Sequence, residues 1–145
     1  MPTVVFTIGY EGRQPDDLLD TLKRAGVDRL VDVRELPLSR RKGFSKTGLA
    51  TMLESAGIAY DHVKPLGTPK QFRDLYKSRR QAEGEAGYRE HLFGDAYPYL
   101  IELADSLEGT RSCLLCFEAD HAECHRAVIV EALEERIPEL EVKNL

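Results

Sequence analysis

Three short apolar runs constrain this chain most: Val4-Val5-Phe6-Thr7-Ile8, Leu30-Val31-Asp32-Val33 and Cys113-Leu114-Leu115-Cys116-Phe117. Each has the length of a strand and none shows strict apolar–polar alternation, so both faces need cover. Stretches with helical spacing lie between them. Pro15 suits a first helical turn, Asp16 and Asp17 favour its positive end, and Leu18, Leu19, Leu22 and Ala25 form an apolar face that Gly26 terminates. Ser45 is placed to cap a second helix, with Leu49, Met52, Leu53 and Ala56 inward and Gly57 at its end. Ile58 to Val63 reads as a shorter third strand. Leu100, Leu103, Ala104 and Leu107 face inward from a helix over 97–107, and a last long helix runs from about Cys124 to Arg136, followed by a final strand near 139–142. Strands separated by helices predict a Rossmann-like α/β fold: one three-layer domain over residues 1–145 with a mostly parallel sheet. The charged stretch at about 68–95, with Gly84 and Gly87, reads as a partly helical, mobile insertion.

At 145 residues, 42% hydrophobic and 31% charged, the chain can bury a core without cross-links. No apolar run approaches the roughly 20 residues that span a bilayer, and the first residues lack the pattern of a secretory leader. A cytoplasmic protein with no membrane partner is the expectation. Three cysteines, an odd number, fit reduced thiols better than a disulfide framework.

In a parallel sheet with right-handed crossovers all strand C-termini share one edge, where ligands usually sit. Gly9-Tyr10, Asp32-Arg34 and Cys116-Glu118 each lie at such an end and are expected to meet in one crevice. Asp32 and Arg34 share a strand face, either orienting a ligand or forming an internal ion pair that tethers the next loop. The net charge of -5 argues against a generic nucleic-acid coat, yet Arg34, Arg40, Arg41, Lys42 and Lys46 cluster against Glu35 alone. With a helix start at Ser45, that loop suits an anionic ligand; Tyr10, Phe44 and Tyr60 nearby offer stacking for nucleic-acid bases. No Gly-rich phosphate fingerprint names a cofactor.

Cys124 sits near a helix start beside His125, where a thiol pKa is lowered. It is a candidate nucleophile, with His125 or His121 as its base and Arg126 steadying negative charge; the competing reading is a small buried residue. Cys116, His121, Cys124 and His125 are all zinc-type donors, but their spacing matches no standard pair of clips and adjacent Cys124 and His125 would not easily reach one ion, so no metal is assigned. Cys113 points to the opposite strand face and reads as core.

Four blocks of sequence resemble the bacterial and archaeal family called domain of unknown function 488. They are Thr7-Ile8-Gly9-Tyr10; Val31-Asp32-Val33-Arg34 with Pro37, Ser39-Arg40 and Phe44; Gly57-Ile58 with Tyr60, His62 and Leu66-Gly67; and Leu114-Leu115-Cys116 with Glu118, Asp120 and Cys124-His125-Arg126. Thr68 stands where a second glycine is common, and His121 where proline is usual, which weakens His121 as a shared ligand or base. The resemblance implies a compact α/β domain and supplies no activity. It supports pooling Asp32, Arg34, Ser39, Arg40, Cys116, Glu118, Cys124, His125 and Arg126 in one site.

The leading expectation is an enzyme acting on an anionic small molecule or nucleic-acid component. Arg34, Arg40 and Arg126 would hold the anion with Gly9, Tyr10, Ser39, Lys46 and Cys116 around it; Asp32 or Glu118 would serve as acid or base; and Cys124 with His125 would supply the nucleophile. A non-catalytic nucleotide or nucleic-acid binding module is the alternative, and a metal-binding or thiol redox protein the third reading.

Overall fold

A computed structural model describes residues 2–118 and 124–145. Strand β1 (Val4–Gly9) leads into helix α1 (Pro15–Arg24), β2 (Arg29–Asp32), α2 (Lys46–Ser55) and β3 (Ala59–His62). A 3-10 turn at Lys64–Leu66 precedes α3 (Lys70–Lys77), α4 (Gln81–Phe93) and α5 (Tyr97–Ser106), followed by β4 (Ser112–Cys116), α6 (Arg126–Arg136) and β5 (Glu141–Asn144). The strands form one sheet in the order β3-β2-β4-β1-β5, and every neighbouring pair is parallel. This is the three-layer α/β domain expected from the apolar runs. Among the described residues, no helix is long and apolar enough to cross a membrane.

Strand alternation divides the core. Phe6, Ile8, Leu30, Cys113 and Leu115 pack with Leu18 and Leu22 of α1 and Leu49 and Leu53 of α2. Val5, Val31, Leu114 and Cys116 face the other way, onto Tyr88 and Leu92 of α4, Leu100 and Leu103 of α5, and Val128, Ile129 and Leu133 of α6. Each fully buried leucine contributes roughly 1.5–3 kcal/mol, so neither layer is dispensable. All of β4 is buried, as its apolar sequence requires.

The chain leaves β1 and β2 toward the α1–α2 layer but leaves β4 toward α6 on the other face. β4 lies between β1 and β2, so its C-terminal end has diverging connections on both sides. That is where an open α/β sheet forms a crevice.

One local expectation is corrected. Ser45 immediately precedes α2 but does not cap it with its side chain. Its Oγ instead accepts the Ser39 N–H at 3.0 Å and lies 3.2 Å from the Ser39 carbonyl, closing the loop on itself. The charged stretch forms two helices, and α4 enters the core through Tyr88 and Leu92. Its glycines permit close packing: a Cβ on Gly87 would lie 2.2 Å from the Phe72 ring, and one on Gly84 would lie 3.0 Å from the Phe72 carbonyl. The Tyr88 hydroxyl donates to the Leu66 carbonyl at 2.5 Å, pinning α4 to the turn after β3.

Candidate functional site

The end of β2 builds the first cluster. Asp32 is 0% exposed and Arg34 6%. The Asp32 carboxylate accepts Arg34 Nε at 2.8 Å, Arg34 Nη2 at 2.6 Å, the Arg34 backbone N–H at 3.1 Å and the Tyr60 hydroxyl at 2.5 Å. Arg34 Nη1 donates to the Phe44 carbonyl at 2.7 Å. The fork of Arg34 thus joins the strand end to the following loop, and the internal ion-pair reading describes this geometry. Burial disfavours the guanidinium charge, but hydrogen bonding to Asp32 and its opposite charge outweigh that, and the Arg34 pKa is raised. Burial and then the hydrogen bond to Asp32 raise the Tyr60 pKa.

Tyr10, at the end of β1, is buried between aromatics. Its ring stacks on Phe44 with centroids 4.7 Å apart and meets Phe117 edge-on at 5.3 Å. Tyr10 and Phe44 therefore stack on each other rather than offering faces to bases, and the Tyr60 hydroxyl is held by Asp32. The Gly9 carbonyl accepts Arg13 Nε at 3.1 Å.

Within the basic loop, Arg41 is the arginine that turns inward. It donates to the Tyr10 carbonyl at 3.1 Å and to the Arg13 carbonyl, and its guanidinium lies 4.9 Å from the Phe44 ring centre. Arg40 and Lys46 are exposed; among the described residues, neither side chain makes a hydrogen bond or ion pair. Ser39 Oγ accepts the Arg41 N–H at 3.1 Å, a local turn contact. The structure thus brings Asp32, Arg34, Gly9 and Tyr10 together but leaves Arg40 and Lys46 on the rim.

The second cluster joins the end of β4 to the start of α6. Cys116 and Cys124, 2% and 3% exposed, have their sulfurs joined, with Cα atoms 7.6 Å apart. This corrects the expectation of reduced thiols only: the odd count resolves as one pair plus Cys113, buried on the other face with its pKa raised by burial. The reason is topological, since α6 begins over the end of β4 and returns position 124 to position 116. Glu118 Oε2 lies 3.4 Å from Cys116 Sγ, and burial raises the Glu118 carboxyl pKa.

His125 carries the electrostatic logic of this cluster. Its Nε2 lies 2.6 Å from the Val33 carbonyl, which can only accept, so Nε2 holds the proton. Nδ1 is left with its lone pair, 3.5 Å from Cys124 Sγ. Burial lowers the His125 pKa to about 4, and the bond to Val33 only partly opposes this. Tyr88 meets the imidazole edge-on at 5.1 Å, so α4 forms a wall of the site. Cys124 Sγ also receives the Arg126 backbone N–H at 3.5 Å, the contact that a helix start offers to a thiolate. The buried Arg126 guanidinium donates to the Glu118 carbonyl, tying the two sides of the β4–α6 connection together. His121 and Asp120 lie outside the described residues.

The two clusters share Val33. Its N–H bonds the Leu115 carbonyl of β4 at 3.1 Å while its own carbonyl holds His125. His62 reaches the next carbonyl, that of Arg34, at 2.7 Å. Sequence reasoning placed His62 in a family block without a role, and missed the contact of Tyr88 with His125 and the inward role of Arg41. His62 is detectable as a polar residue at the end of β3, whereas nothing near Tyr88 marks it out. Among the described residues, a groove of about 360 Å³ opens beside β3, lined in part by Arg29, Asp61, His62, Tyr99 and Glu102. It touches neither cysteine.

No curated protein and no solved structure matches the chain. The family model described as domain of unknown function DUF488 matches residues 14–133, from α1 through most of α6, and the chain belongs to that family.

Proposed function

We propose that the chain is a thiol redox protein whose working group is the Cys116–Cys124 pair. The supporting observation is the juxtaposition of both sulfurs with the unprotonated Nδ1 of His125 at the start of α6. The anion-binding reading has weaker support, because Arg34 and Arg126 hold internal acceptors and Arg40 stands apart.

In the reduced state the Cys124 thiol faces the unprotonated Nδ1 of His125, and the Arg126 N–H favours the thiolate left when the thiol proton passes to water. The thiolate attacks one sulfur of a small-molecule disulfide, forming a mixed disulfide and expelling a thiolate. Cys116 passes its proton to the expelled thiolate, attacks Cys124 Sγ and expels the second thiolate, which takes the other proton from water. One protein dithiol and one external disulfide become one protein disulfide and two external thiols. Burial of both cysteines favours small oxidants over protein partners.

The test uses reduced protein, oxidised glutathione and mass spectrometry after alkylation. Wild type should form the internal Cys116–Cys124 pair, and Cys116→Ser should accumulate the mixed disulfide on Cys124. Equal, slow alkylation of both cysteines with no internal pair after oxidation would overturn the proposal.

A further inference from the structure

We infer that, once the pair is reduced, Cys116 Sγ, Cys124 Sγ and His125 Nδ1 form a site for a borderline-soft divalent cation, with zinc the best match to the donors. Among the described residues these three ligand atoms lie within 4.8 Å of one another. The inference goes beyond the exchange reading but shares its premise that the two sulfurs can be reduced.

The spacing of Cys124 and His125 suits an ion. Zinc binds thiolate at about 2.3 Å and imidazole at about 2.0–2.1 Å, so tetrahedral S and N ligands stand about 3.6 Å apart. Cys124 Sγ and His125 Nδ1 are 3.5 Å apart. The expectation that neighbouring Cys124 and His125 would not share an ion fails here, because Cys124 Sγ and His125 Nδ1 converge at the start of α6. The Cα atoms of Cys116 and Cys124 are 7.6 Å apart. With the pair reduced, that spacing leaves room for an interposed ion.

The surroundings supply what a metal-bound histidine and thiolate require. A ligating imidazole characteristically donates its other N–H to a carbonyl or carboxylate, which fixes the ring and its tautomer. His125 does so to Val33, with Tyr88 against the ring. Cys124 Sγ receives the Arg126 N–H. Two thiolates balance a divalent charge, so the filled centre is neutral where an uncompensated ion would be costly to bury. Binding releases the thiol protons, and three protein donors leave one tetrahedral position for water or another ligand.

The probe is cobalt(II) added to the full chain, reduced and stripped with chelator. We expect one equivalent to give the d–d bands of a tetrahedral ion and a thiolate charge-transfer band, both bleached by zinc. Cys124→Ser and His125→Gln should each weaken binding by more than about 100-fold, the upper end of the loss seen for mere supporting residues. Cys113→Ala should leave the spectrum intact, and wild type with the Cys116–Cys124 disulfide formed should take up no ion, a result independent of any substitution. A reduced wild type that shows no tetrahedral cobalt spectrum, or an oxidised one that shows the same spectrum, overturns the site. Glutathione exchange read in parallel separates the two proposals: exchange without metal uptake rejects this site alone, and metal uptake without exchange rejects the redox function alone.

Discussion

Asp32 accepts two bonds from one guanidinium, one from a backbone N–H and one from Tyr60 while fully buried. Removing its charge strands Arg34 without a counter-ion. Asp32→Asn should therefore lower unfolding stability by about 3–5 kcal/mol in urea titration. The neighbouring arginines give a sharper contrast. Arg40→Ala should stay within about 0.5 kcal/mol of wild type, whereas Arg41→Ala should lose about 1–2 kcal/mol because Arg41 bonds two carbonyls and covers Phe44. This difference was not legible in the sequence, where Arg40 and Arg41 are adjacent and alike. Which one turns inward depends on the carbonyls of Tyr10 and Arg13, supplied by a different strand end. The Asp32–Arg34 pair was legible, because strand geometry alone puts positions two apart on one face.

At the level of elements, α1, α2, α5 and α6 follow directly from apolar spacing, and α1 and α2 also from their stop signals. Gly26 and Gly57, at φ of 71° and 76°, occupy the left-handed turns their positions called for. The α3–α4 pair was not legible in the same way. Its glycines resemble helix breakers locally, yet Gly87 makes room for Phe72, a partner in the preceding helix. Gly87→Ala should cost about 1–3 kcal/mol through overpacking, and pairing it with Phe72→Ala should recover part of that loss. A thermodynamic cycle of the four proteins measures the coupling; additive losses would show that the contact is unimportant. If α4 supports His125 through Tyr88, Gly87→Ala should also weaken cobalt uptake by the reduced protein.

Across the whole molecule, burial raises the pKa values of three tyrosines: Tyr60, Tyr76, which is pushed up to about 12, and Tyr88. Hydrogen bonding to Asp32 adds to the effect at Tyr60. The unfolded chain releases these protons near pH 10, while the native chain keeps them. The native state then binds more protons, so stability should be intact below about pH 10 and fall as pH rises beyond it. Urea midpoints measured through that range check the sign. Tyr88→Phe should flatten part of the decline, at a cost of about 1 kcal/mol at neutral pH from the bond lost to Leu66.

The peptide between Asp32 and Arg34 has one further consequence. Because Val33 is clasped by Leu115 on one side and His125 on the other, the floor beneath the cysteines is already set before anything arrives there. Once the sulfurs part, a visiting ion would meet a carbonyl frame already in place, and its fit would turn on size and donor preference.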